Sequence, residues 1–264
     1  KFSARSEDWL FRRFDFPDSC TEPAELYVEL RERGMDFVTI TDHDCIDGCL
    51  AIADKPHVFI SEQVTVYFPQ DPCKVHLLVW GINQAQHQDI SVFRSDIFEL
   101  QKYLVENRIA HAVAHPLYSI NGKLNASHLE RLILLFKHFE GTNGLRDSLL
   151  SDLATKLLRE LTPEKIDEFA NRHDFAPTHP ESWKKILVGG SDDHGCLAVR
   201  RASRNAGDDC REWLPRRDRR EVRRRLGVDL ERDLDRRPGG RAQEVQHAVE
   251  RRLRADHFRM MRAL

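Results

Sequence analysis

Six side chains in this sequence have the chemistry to bind divalent metal: His43, Glu62, His76, His115, Asp192 and His194. Each stands within a short apolar run or at its end. Four imidazoles and two carboxylates suit ions such as Zn2+, Mn2+ or Fe2+, because neutral imidazole donates a lone pair and carboxylate offsets the metal charge. An all-oxygen set would point to Mg2+ or Ca2+ instead. Six donors exceed what one tetrahedral ion needs, so two or three ions are expected. Clustered ions share a bridging hydroxide and clamp a phosphoryl group. Taken singly, the residues say little. His76 inside a strand reads equally as a packed core imidazole, Glu62 as a helix-capping acid, and His115-Pro116 as a turn. Asp192 and His194, two apart in an extended segment, point to one face. The joint placement at strand ends carries the argument.

Arg146, just after Asn143-Gly144-Leu145, has two readings. It holds a substrate phosphate, or it pairs with Asp147 or another neighbour. Lys123 in Asn121-Gly122-Lys123 is a weaker version of the same. His111 reads as core. His57, His87, His128, His138, His173, His179, His247 and His257 belong to no constellation and read as packing or surface residues.

These residues need elements to hold them. A helix is expected from Thr21-Glu22-Pro23, with a capping hydroxyl and a proline in the first turn, to a stop at Gly34. Short β-branched or apolar runs at 37–41, 58–61, 75–80, 109–114 and 185–189 predict strands. A strand end is expected over 139–143. A long helix is expected over roughly 86–107, with Ile90, Phe93, Ile97, Leu100 and Leu104 on one face. Further helices are expected over 127–136, 149–161 and 163–172. Alternation of strands and helices predicts an α/β fold with a mainly parallel sheet. In such folds chemistry gathers at the carboxyl ends of the strands.

The chain has 264 residues and a net charge of -2, and the balance is uneven. Residues 1–196 carry 21 basic and 31 acidic side chains; residues 197–264 carry 20 basic, all Arg, against 12 acidic. A boundary is therefore placed near Cys196. The Arg-rich tail has no clean apolar stripe, and Pro238-Gly239-Gly240 interrupts it. It reads as a solvated, partly helical, disordered or frame-shifted extension rather than a nucleic-acid-binding arm. The six cysteines form no C-x-x-C pair, which argues against a zinc ribbon, and they read as reduced thiols. No run of about 18 apolar residues exists, and no signal peptide is visible. A cytoplasmic protein without membrane contact is the expectation; oligomeric state is left open.

The stretches Ile40-Thr41-Asp42-His43-Asp44, Ser61-Glu62, Lys74-Val75-His76, Ala114-His115-Pro116 and Ser191-Asp192-Asp193-His194 together resemble the PHP (polymerase and histidinol phosphatase) family over residues 1–196. The resemblance implies a distorted seven-stranded βα barrel with a trinuclear metal centre that hydrolyses phosphoesters of small molecules or nucleotides. It makes the six residues above metal ligands, with Asp42 orienting one of them and Arg146 taking developing charge. The family's first motif, an N-terminal His-x-His strand, has no counterpart, since no His precedes His43; Lys1-Phe2-Ser3 is similar to what directly follows that motif. The expectation is a PHP-type barrel lacking its first strand and two ligands, with weakened activity. A non-catalytic regulatory or structural module of a larger enzyme, such as a glycosyltransferase, is the alternative, and an amidohydrolase a third reading. Metal content separates the first two.

Overall fold

In a computed structural model, residues 21–146 and 148–192 are described. They form a mixed α/β structure in which one five-stranded sheet runs in the order β1-β2-β3-β4-β5. The helices are α1 (Pro23–Glu32), α2 (Asp47–Leu50), α3 (Gln84–Phe93), α4 (Ile97–Glu106), α5 (Ala126–Leu135), α6 (Ser148–Arg159) and α7 (Pro163–His173). The strands are β1 (Ser61–Tyr67), β2 (Lys74–Trp80), β3 (Ala110–Val113), β4 (His138–Asn143) and β5 (Ile186–Gly190). Among the described residues no helix is long and apolar enough to cross a membrane. His194, the boundary near Cys196 and the Arg-rich tail lie outside the described residues.

The sheet is not mainly parallel. β1–β2 and β2–β3 are antiparallel, while β3–β4 and β4–β5 are parallel. The loop between β1 and β2, residues 68–73, is too short for the crossover that a parallel pair requires. Helices α5, and then α6 with α7, supply that crossover for β4 and β5. The run at 37–41 makes no strand: it lies beside 58–63 through isolated parallel bridges, Val38 to Val58 and His43 to Gln63. The run at 58–61 ends where the real strand begins, because Val64, Thr65, Val66 and Tyr67 continue the β-favouring pattern.

The single helix expected over 86–107 is two. Asn83 closes a capping box with Gln86 at the start of α3, and the Asp96 side chain accepts from the Phe98 and Glu99 amides to start α4. Ile97, Leu100, Gln101 and Leu104 then form the buried stripe of α4. At α1 the N-cap is Glu22, without a side-chain cap bond, rather than Thr21. The core between sheet and helices is filled by Ile90, Leu129, Leu132, Ile133, Phe136 and Phe139, all essentially inaccessible to solvent.

Candidate metal and anion site

Strand pairing decides which residues meet. Thr65 lies opposite His76 and Gln63 opposite Leu78, so Gln63, Thr65 and His76 share one face of the sheet. Glu62 lies opposite Val79 on the other face, where its carboxylate meets His87 Nδ1 at 3.0 Å. The expected ligand Glu62 therefore points away from His76, and Gln63 stands on the imidazole side instead. A one-residue offset in a strand reverses the face, and the residue pair Glu62-Gln63 alone does not reveal which side is which.

The bridge from His43 to Gln63 puts His43 on the same face. Its ring centroid is 4.5 Å from that of His76, which in turn lies 5.3 Å from that of His115. The Gln63 side chain stands among them, with Nε2 2.7 Å from His76 Nδ1 and 3.3 Å from His115 Nε2. His76 and His115 are buried. Burial, aided by the neighbouring imidazoles and Arg146, holds His76 well below the ordinary histidine range. His115 is brought down to about 4, again mainly by burial. Both rings are neutral at physiological pH, which is the ligating form. Among the described residues His76 Nε2 is buried with no hydrogen-bond partner.

A second group adjoins the rings at the ends of β3, β4 and β5. Glu140 Oε2 accepts from the backbone N–H of His115 at 2.7 Å and from Asn143 Nδ2 at 2.9 Å. Asn143 Nδ2 also reaches Asp192 Oδ2 at 3.2 Å, and the Asn143 oxygen accepts from the amides of Leu145 and Arg146. Arg146 pairs with Asp192 at 2.8 Å and its guanidinium lies 3.9 Å over the Tyr118 ring. The salt bridge expected for Arg146 with a neighbour thus exists, with Asp192; Asp147 lies outside the described residues. Complete burial, reinforced by Asp192, pushes the Glu140 carboxyl up to about 7. His115 and Asp192 have φ of 30° and 46°, strained backbone of the kind that gathers at functional sites. A small pocket opens here, lined by His115, Tyr118, Glu140, Asn143, Arg146 and the first turns of α6.

Asp42 accepts from the Gln63 amide through its carbonyl, and its carboxylate lies against Gly48 at α2. Asp44 accepts from the Thr65 amide at 2.7 Å and pairs with Arg94 at 2.5 Å. Three histidines read as isolated have acidic partners: His87 with Glu62, His128 with Asp71, and His173 with Glu130.

The donors test two ways against a metal. Neutral imidazoles are the right chemistry for a divalent ion. Glu62 stands on the opposite face from the rings, and the Gln63 amide stands between two of them. Among the described residues no three His, Cys, Asp or Glu side chains are arranged to hold an ion. Gln63, Tyr118, Glu140 and Asn143 are site residues that the sequence reading missed. The one signal for Glu140 is Gly190, where a Cβ would collide with Glu140 Oε1.

No protein-family model matches the chain, and no curated protein matches it. Solved structures resemble it at low identity. One is an amidohydrolase from Chromobacterium violaceum with bound sulfate and no metal, 16% identical, with a TM-score of 0.41 over 68% of this chain and 84% of that one. Another, from Bifidobacterium adolescentis, is provisionally described as a metal-dependent phosphoesterase. It is 15% identical, with a TM-score of 0.38 over 81% of this chain and 93% of that one.

Proposed function

We propose that this chain is a hydrolase of the metal-dependent phosphoesterase kind, acting on a phosphorylated small molecule or nucleotide. The observation that carries the reading is the group of three neighbouring imidazoles, two of them buried and neutral, with the Arg146–Asp192 pair close enough to His115 to act on it electrostatically. A divalent ion here would call on His43, His76 and His115, whose rings would have to turn toward it and shed the Gln63 contacts, with Asp192 as a further donor. Such an ion supplies Lewis acidity and a bound water of lowered pKa. Arg146, stacked on Tyr118, binds and orients an anionic group in the adjoining pocket. Glu140 and Asn143 fix the His115 turn and Asp192 relative to each other. A distorted barrel is part of this proposal.

A second reading, a non-catalytic module, is favoured by one feature: Gln63, a neutral amide, stands among the imidazoles where a carboxylate donor would be needed. The two separate experimentally. The full chain is titrated with Mn2+ and Zn2+ by calorimetry and assayed on p-nitrophenyl phosphate. Under the leading reading turnover requires the ion, His76→Ala loses both binding and turnover, and Glu62→Ala keeps both. Absence of ion-dependent turnover in the folded chain rejects it in favour of the module.

A further inference from the structure

We infer that Gln63 sets the metal capacity of this site: its side-chain amide donates hydrogen bonds into His76 Nδ1 and His115 Nε2 and so holds two of the three rings in a form that resists closing on a divalent ion. The inference rests on the proposed site but not on its catalytic activity. An amide NH2 has two hydrogens and no lone pair to offer a metal. Here those two hydrogens face two ring nitrogens, at 2.7 Å and 3.3 Å. A neutral imidazole that accepts at Nδ1 carries its own proton on Nε2. His76 is therefore locked as the Nε2–H tautomer, and that nitrogen is the one that is buried without a partner. The lone pair of His115 Nε2 is engaged by the same amide. An ion entering this cluster must displace the amide and move the His76 proton before it gains His76 or His115 as a ligand.

The backbone directs this position at the rings. Gln63 is buried, faces His43 across a parallel bridge, and makes two backbone hydrogen bonds with the 42–44 segment: its N–H donates to Asp42 O, and its carbonyl accepts from Asp44 N. Those two bonds fix the side chain's direction toward the rings. A carboxylate at the same place only accepts. It would require Nδ1–H on His76, release the Nε2 lone pair and add an anionic oxygen of its own.

The test is Gln63→Glu in the full chain, titrated with Mn2+ alone by calorimetry. Gln63→Glu is expected to bind Mn2+ at least about tenfold tighter than the wild type, the scale at which hydrogen-bond partners of ligands alter affinity. Nitrogen NMR of the imidazoles gives an independent reading: His76 is Nε2–H in the wild type and Nδ1–H in Gln63→Glu. Unchanged affinity and tautomer in a folded Gln63→Glu overturn the inference. Gln63→Ala, which removes both donors, covers the case in which the carboxylate does not fold. It is expected to bind Mn2+ no more weakly than the wild type; weaker binding would make Gln63 a ligand and overturn the inference. Phosphoester turnover is measured in parallel. Its absence in every variant rejects the proposed function while leaving the affinity and tautomer results to decide the role of Gln63.

Discussion

Substituting Gly190 by alanine probes how tightly the carboxylate bracket is assembled. A Cβ at Gly190 would stand well inside 3.0 Å of Glu140 Oε1, with Glu140 Cδ at 3.2 Å. The φ of Gly190 is not positive, so backbone strain contributes nothing. An exposed glutamate would swing aside at little cost. Glu140 is buried, and its other oxygen is held by the His115 N–H at 2.7 Å and Asn143 Nδ2 at 2.9 Å. Relief therefore means breaking two hydrogen bonds in a buried place, each worth about 1–1.5 kcal/mol. The alternative is to shift β5, with an overpacking cost of about 1–3 kcal/mol. Gly190→Ala should lose about 2–4 kcal/mol, measured by urea unfolding monitored by circular dichroism, with a melting temperature lower by about 5–12 °C for a chain of this size. The same substitution in a Glu140→Ala background should cost under about 0.5 kcal/mol, because the colliding atom is gone. Equal cost in both backgrounds, or a loss below about 1 kcal/mol in the first, would refute the reasoning.

Two other outcomes are expected. Burial brings His115, His138 and His179 down to about 4 from the ordinary 6.5. Between those values the unfolded chain binds more protons than the native one, so stability should fall as pH drops from about 6.5 to about 4, read as a lower urea midpoint at pH 5 than at pH 7.5. Glu140 acts in the opposite sense. With its carboxyl raised to about 7 from 4.5, stability is lost as pH rises through 7. The stability difference between Glu140→Gln and the wild type should therefore grow from pH 5 to pH 8, and a difference that stays flat would reject the assignment. Asn83→Ala, which removes the capping box of α3, should cost about 1 kcal/mol in chemical unfolding; a loss below about 0.3 kcal/mol would show that the cap contributes nothing.

Much of the framework was legible because it is local. The helices at 126–135, 148–159 and 163–173 follow from apolar spacing and N-terminal residues, and they fall within a residue or two of expectation. The break at Asp96 was missed because the apolar stripe of α3 continues in phase into α4, while the cap acts through a side-chain bond that periodicity does not register. The same limit applied to strand direction. A run such as Val75 to Val79 has the composition of a buried strand whether its neighbours run with it or against it.

The chemistry in reserve is written in residue types and spacing: imidazoles His43, His76 and His115 in or beside apolar runs, and Arg146 and Asp192 after two strand ends. Their side-chain types are intrinsic, and alternation along a strand separates Glu62 from Gln63. Folding settled which of those two faces the rings, because the face is set by the register of β1 against β2 and the bridge to His43, contacts between separate segments of the chain. It also decided that Arg146 takes Asp192 as its partner and that Glu140 braces His115 against Gly190. Those contacts span strands joined through helical crossovers, and no local pattern along the chain encodes them.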